Sequence, residues 1–327
     1  MMPPEAPLIS TLRSLLDDPD LTRGARLQSL WSGYGEIVRI HRGDGRTVVV
    51  KHVRPPGGAG VHPRGWGTDR SHARKLRSYA VERAWYADWA PRCGEGCRVP
   101  ACLAAQEVDG GWLFVLEDLD AAGFPGRHAR SGDAALRRCL EWLAAFHATF
   151  LGAAPRGLWP VGTYWHLATR PEELAAIADP RLRRAAGPID EVLSGARFQT
   201  LVHGDAKVAN FCFAPDASAV AAVDFQYVGG GCGMKDVAYL LGSALGSAAL
   251  DREAAVLEDH YFRALRARLG DREVDVDALE AEWRALHDWA WADFQRFLAG
   301  WAPDHAKVEG HALARTARVL AAVEGRS

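Results

Sequence analysis

The side chains best suited to chemistry lie in one short stretch. An apolar run, Leu201-Val202, leads into His203-Gly204-Asp205-Ala206-Lys207, and Asn210 follows the aspartate by five residues. A second apolar run, Ala221-Ala222-Val223, delivers Asp224-Phe225-Gln226. Phosphoryl transfer from ATP asks for this set: a carboxylate to orient and deprotonate a hydroxyl, and an amide with a second carboxylate to hold magnesium on the phosphates. Asp205, within hydrogen-bond reach of an acceptor hydroxyl, would position it and take its proton. Asn210 and Asp224 carry the hard oxygen donors that Mg2+ prefers. Lys207, between base and amide, would neutralise charge on the moving phosphoryl group; the alternative is a solvated surface lysine.

Other elements must bring a nucleotide to these groups. The run Thr47–Val53 reads as a strand, with Lys51 set among Val48, Val49, Val50 and Val53. A lysine so placed would contact ATP phosphates, held by an acidic side chain of the next helix. Glu82 is the first candidate partner, ahead of Glu95 and Glu107. Gly33 and Gly35 precede the strand pair, and small residues let backbone amides approach phosphates closely. Gly43-Asp44-Gly45 marks a hairpin turn. The first thirty residues read as a short helical lead-in, and residues 55–67 as loop. A helix is expected from Thr68 or Asp69 to about Trp89, then strands at 99–105 and 112–116. Asp133–Phe150 has a clear helical apolar period. Pro160, Pro171, Pro180 and Pro188 are expected to break 155–195 into short helices and loops. Strands at Thr200–Val202 and 219–223 flank the central motif, and helices follow at 237–245, 251–269, 276–299 and 311–323. Strands first and helices later suggest two lobes, 1–117 and 118–327, with a cleft between them.

Bulk properties narrow the partners. A formal net charge of -2 and a pI near 6.6 argue against a nucleic-acid binder that works by bulk electrostatics. No apolar run reaches the roughly 18–20 residues of a membrane span. The N-terminus lacks a basic segment before an apolar one, so a cytoplasmic location is expected. The six cysteines read as reduced thiols. Cys93 and Cys97, with Cys102 nearby, lack a second ligand pair at zinc-site spacing. The basic cluster His62, Arg64, Arg70, His72, Arg74, Lys75 and Arg77 reads as a solvated helix face plus loop, with contact to an anion as the alternative.

The set Lys51, Glu82, His203-Gly204-Asp205, Asn210 and Asp224-Phe225-Gln226 resembles the aminoglycoside phosphotransferase and choline kinase superfamily, a branch of the protein-kinase-like fold. Within it, the set most resembles the ecdysteroid-kinase-like small-molecule kinases. The resemblance runs from about Trp31 to Trp301. It implies an α+β fold of two lobes, a small antiparallel-sheet N-lobe and a mainly helical C-lobe. It implies ATP, Mg2+ and a small-molecule hydroxyl acceptor: an amino alcohol, a sterol-like compound, a sugar or an aminoglycoside-like molecule. Carried over by residue, Asp205 is the base, Asn210 and Asp224 the metal ligands, and Lys51 the phosphate lysine paired with Glu82. Asp236 would brace the catalytic loop, and Glu117 to Leu119 would read adenine through their backbone. Two departures matter. His203-Gly204 replaces the His-Arg of protein kinases, which argues against a protein substrate, and Gln226 replaces the glycine after Asp-Phe, which argues against a flipping activation segment. An inactive kinase-fold binding protein, a protein kinase and a nucleotidyl transferase are the rival readings. Choline-type kinases hold a quaternary ammonium in an aromatic box. Trp289, Trp291 and Trp301, with Asp288 and Asp293, are the residues here that could build one, and Tyr164, Trp165 and His166 could join them.

Overall fold

A computed structural model describes residues 6–30, 33–55, 69–128, 133–270, 272–305 and 310–325. A five-stranded antiparallel sheet of order β1-β2-β3-β5-β4 comes first: β1 Thr22–Ser29, β2 Gly35–His41, β3 Thr47–Val53, β4 Cys102–Val108 and β5 Gly111–Glu117. The helical lead-in is therefore half right. Helix α1 (Ala6–Leu16) is present, but β1 follows it where no strand was expected. β1 is an edge strand with mostly exposed side chains, and its register against β2 slips twice, so it shows no apolar alternation to read. β4 begins later than expected, beyond Pro100, which cannot donate to a ladder.

Alternation along β3 decides what faces where. Val48 and Val50 pack with Val38, Ile40, Leu113 and Val115 under Leu8 and Leu12 of α1. Lys51 and Val53 take positions of opposite parity and face the cleft side. There α2 (Asp69–Ala84) crosses the sheet and continues as a π-helical turn, Trp85–Trp89, where an unbroken α-helix was expected. Residues 56–68 lie outside the described residues, and with them His62, Arg64 and most of the expected loop.

The rest is mainly helical. α3 (Asp133–Phe150) spans the expected residues. α4 (Pro171–Ala176) and α5 (Pro180–Ser194) fill the proline-rich segment, and Pro188 lies inside α5, not at a break. An internal proline costs about 3 kcal/mol. Against that, α5 is capped by the Asp179 carboxylate on Arg181 N–H and buries Leu182, Ile189 and Leu193 along one stripe. Each such side chain returns about 1.5–3 kcal/mol on burial, so the stripe outweighs the proline. α6 (Met234–Ala244), α7 (Ser247–Leu269), α8 (Val276–Trp301) and α9 (Gly310–Glu324) build the remaining core. None of the described helices is long and apolar enough to cross a membrane.

Two short ribbons carry the central motif. β6 (Thr200–Val202) pairs with β9 (Gly229–Gly231), and β7 (Phe211–Phe213) with β8 (Val220–Ala222). The glycines of β9 are a packing requirement. Residues 159–162 run directly over Gly229 and Gly230, so a Cβ at Gly229 would overlap Trp159 O and one at Gly230 would lie 2.7 Å from Pro160 O.

Candidate active site

β6 ends in a turn held from below by Asp236 in the first turn of α6. Asp236 Oδ2 accepts from His203 N–H at 2.6 Å and Oδ1 from Gly204 N–H at 3.0 Å. His147 Nε2 adds a third contact at 3.2 Å. Asp236 is fully buried and is the brace that the sequence suggested. Asp236→Ala would strand two buried N–H groups at about 1–3 kcal/mol each. Its melting midpoint is expected to drop by several degrees in a calorimetric scan, and an unshifted midpoint would contradict the brace. Gly204 has φ +80°, and a Cβ there would run into Tyr227 O, so the turn admits no side chain. His203 fastens this turn to the next segment. Its Nδ1 accepts from Asp205 N–H at 3.2 Å, which leaves Nε2 protonated to donate to Val223 O at 3.0 Å.

Asp205 Oδ2 accepts from Lys207 Nζ at 2.8 Å and from Asn210 Nδ2 at 3.0 Å. Oδ1 is buried without a hydrogen-bond partner among the described residues. Lys207 is therefore no free surface cation. Burial opposes its charge, but the Asp205 carboxylate outweighs burial and holds the ammonium above the ordinary lysine value. The Asn210 amide nitrogen is committed to Asp205, which turns Oδ1 away from it. Asp224 adopts φ +68°. Its Oδ1 accepts from Gln226 Nε2 at 2.7 Å and lies 3.4 Å from Lys51 Nζ. Burial favours the neutral acid, yet Lys51, Lys75 and Lys207 together hold its pKa at about 2, so the carboxylate is charged at any working pH. The outward-facing donors are thus hard oxygens from Asn210 and Asp224, which fit Mg2+.

Glu82, and neither Glu95 nor Glu107, meets Lys51. The Nζ lies 2.8 and 2.7 Å from the two carboxylate oxygens, and both residues are buried. Burial works against the Lys51 ammonium, but Glu82 and Asp224 together keep it charged. Glu82 shares that single ammonium with Asp224, and burial pushes its carboxyl above the usual range. Phe225, next to Asp224, stacks on Trp85 of the π-helical turn at 4.4 Å and 14°.

The remaining expected positions are mixed. Glu117 N–H donates to Ala101 O at 2.8 Å and Leu119 O accepts from Phe124 N–H at 2.8 Å. Asp118 between them turns back to Arg39 and Thr47. Gly33 and Gly35 have φ +75° and +126°, and a Cβ on Gly35 would strike His52 O of β3. Trp31 and Ser32 lie outside the described residues. The basic cluster is a solvated face only in part: Arg70 and Arg77 are exposed, whereas three of its members are half-buried and engaged. His72 Nδ1 lies 2.5 Å from Tyr34 OH, Arg74 donates to Thr169 O at 2.7 Å, and Lys75 donates to Gln226 Oε1 at 2.8 Å. No group of three or more His, Cys, Asp or Glu side chains among the described residues could hold a metal ion, and all six cysteines are free.

The residues that could have built an aromatic box do not build one. Trp289 and Trp291 pack into the main core, Asp288 is taken by Arg315 and Arg318, and Asp293 by Arg296 and Lys235. α8 is enclosed on most sides along its C-terminal half, so helical period could not separate a core face from a ligand face there. A different aromatic wall, mostly buried and made of Tyr164, Trp165, Tyr239, Phe294, Phe297 and Trp301, meets Asp205 through Tyr164 and Tyr239. Tyr164 N–H donates to Gly204 O at 3.1 Å. Burial first, and the Asp205 charge second, keep the Tyr239 hydroxyl protonated. The sequence held one signal for Tyr239, which follows Asp236 by three residues and so shares its helix face.

A sheet lysine paired with a helix glutamate, set against two loops that together present two carboxylates and an amide, defines a phosphotransferase of the kinase-like class. The chain belongs to the phosphotransferase enzyme family, whose model matches residues 26–273, and is a small-molecule phosphotransferase. No curated protein sequence matches it. Among solved structures, a candidate fructosamine-3-kinase from Thermobifida fusca is similar at 18% identity and TM-score 0.54, over 96% of this chain and 99% of that one. The macrolide 2'-phosphotransferase MphH of Brachybacterium faecium is similar at 16% identity and TM-score 0.49, over 96% and 98%. The choline kinase LicA of Streptococcus pneumoniae is similar at 14% identity and TM-score 0.45, over 98% and 99%.

Proposed function

We propose that the protein transfers the γ-phosphoryl group of ATP, with Mg2+, to a hydroxyl of a small molecule. The observation that carries this reading is the buried Oδ1 of Asp205, without a hydrogen-bond partner among the described residues, beside the oxygens of Asn210 and Asp224. Family membership supports ATP as the donor. Residues 1–117 form the lobe that holds the nucleotide and 118–327 the lobe that holds the acceptor. Glu117 C=O and Leu119 N–H, the groups opposite those already committed, face adenine, and the turn at Gly33 and Gly35 covers the phosphates. Lys51 holds phosphate oxygens. Asn210 and Asp224 hold the metal, which would neutralise charge between the phosphates when bound. Asp205 Oδ1 takes the hydroxyl proton, while Lys207, fixed on Oδ2, faces the transferring group. Tyr164, half-buried at the edge of the aromatic wall and close to the Asp205 charge, supports an acceptor with an apolar or ring body.

The assembled quartet of Lys51, Asp205, Asn210 and Asp224 speaks against an inactive binding protein. The buried run from Phe225 to β9 speaks against the mobile activation segment of a protein kinase. The test is an ADP-release screen against alcohols, amino alcohols, sugars, aminoglycosides and sterols, with Asp205→Ala as blank. Release with one acceptor class, lost on adding EDTA, is the expected result. No release above the blank with any class, or a product heavier by AMP, would sink the reading.

A further inference from the structure

Gln226 is 4% exposed, and its amide is fixed from both sides. Oε1 lies 2.8 Å from Lys75 Nζ and 3.2 Å from Ser78 Oγ, while Nε2 donates to Asp224 Oδ1 at 2.7 Å. Donors on one side and a carboxylate on the other allow a single amide orientation. The backbone is pinned as well, since Gln226 O accepts from Trp159 Nε1 at 2.8 Å. Lys75, Ser78 and Glu82 fall on one face of α2 by helical spacing. The Lys75 ammonium also sits over the Tyr79 ring, 4.9 Å from its centre.

We propose that Gln226 and Lys75 are positioning residues for Asp224: a latch that ties α2 to the metal-binding loop and turns the Asp224 carboxylate so that Oδ1 is held by protein and Oδ2 is presented to the metal. The proposal rests on the kinase reading of the same site. Three observations support it. Asp224 is a non-glycine residue at φ +68°, a conformation that persists only where the surroundings hold it. The side chain of Gln226 reaches back two residues to that same carboxylate. The latch also parallels the Lys51–Glu82 pair, because both join α2 to Asp224 Oδ1, one through Lys51 of β3 and one through Gln226. Glutamine is the residue this geometry selects. A glutamate at 226 could still meet Lys75 but would set a second carboxylate against Asp224.

The experiment is calorimetric titration of ADP into the full chain, with saturating Mg2+ and with EDTA. In the wild type, Mg2+ should tighten ADP binding. Gln226→Met keeps the side-chain volume and removes the amide. It should weaken Mg2+-dependent ADP binding by about 10–100-fold, the usual effect of losing a partner that orients a metal ligand, and leave binding in EDTA within about twofold. Gln226→Glu should lose about as much, and Lys75→Met about threefold to tenfold, again only with Mg2+. Unchanged Mg2+-dependent binding in folded Gln226→Met and Lys75→Met overturns the latch. Equal losses with and without Mg2+ overturn it too, because they mark a general packing role. If Gln226→Met does not fold, Lys75→Met, at a half-buried helix position, decides alone. A wild type that binds no ADP in either buffer defeats the nucleotide reading and the latch with it; a wild type that binds while the variants match it defeats the latch only.

Discussion

Asp205→Ala is expected to lower the rate of phosphoryl transfer by about 10²–10⁴-fold, the range set by a positioned general base. The geometry explains why the loss should fall on turnover and spare nucleotide affinity. Oδ1 has no hydrogen-bond partner among the described residues, so removing it costs the fold little there. Oδ2 is different. It anchors Lys207 at 2.8 Å and Asn210 at 3.0 Å, so the alanine variant frees both. Asn210 keeps its second bond, to Asp205 O at 2.8 Å, and stays in place. Asp205→Asn is therefore the sharper probe, since it preserves shape, can keep one oxygen toward Lys207 and Asn210, and replaces the basic oxygen by an NH2 that cannot take a proton. ADP affinity by calorimetry should match the wild type within about threefold, or about 0.7 kcal/mol. Turnover near the wild-type rate in either variant would remove Asp205 from the role of base.

The second large effect is on stability. Glu82→Ala leaves the Lys51 ammonium buried with only Asp224 to meet it, and losing one partner of a buried pair typically costs about 3–5 kcal/mol. For a chain of this size the midpoint of thermal unfolding should fall by about 6–15 °C. Function should fall as well, for a separate reason. Lys51 already lies 3.4 Å from Asp224 Oδ1, and without Glu82 it is drawn fully onto that carboxylate. A carboxylate neutralised by lysine is a poorer metal ligand, so Mg2+-dependent ADP affinity should drop together with the melting point. Glu82→Gln, which keeps a hydrogen-bond acceptor but loses the charge, should fall between. Circular dichroism melts and calorimetry measure both. An unchanged melting midpoint in Glu82→Ala would mean that the pair adds nothing to folding.

The parts of this protein legible in its sequence share one property: their signal is local. Asp133–Phe150 is amphipathic over its whole length, and its bounds could be read directly. The turn from His203 to Asn210 is compact enough for residue types and spacing to suggest its chemistry. Lys51 and Glu82 are 31 residues apart, yet a strand followed by a helix makes that pairing a short list of choices. Legibility failed where the deciding contact came from elsewhere. β1 is held by its ladder to β2 and shows no apolar face. Pro188 is tolerated because distant helices bury the stripe beside it. The tryptophans of α8 were ambiguous because a helix covered on most sides loses its periodic signature. Gln226 could be read only as a missing glycine, since the lysine that gives its amide a purpose stands 151 residues earlier.

The three glycines of β9 also bear on how this protein could acquire a new acceptor. Gly229 and Gly230 sit beneath residues 159–162, whose chain runs straight on into Tyr164 and Trp165 of the aromatic wall. A methyl group added at Gly230 would act as a shim, lifting that segment and tilting the wall relative to Asp205. Selection for a larger or differently shaped acceptor would therefore find a route through positions that never touch it. A library confined to 229–231 would sample pocket geometry while leaving every chemically active side chain intact.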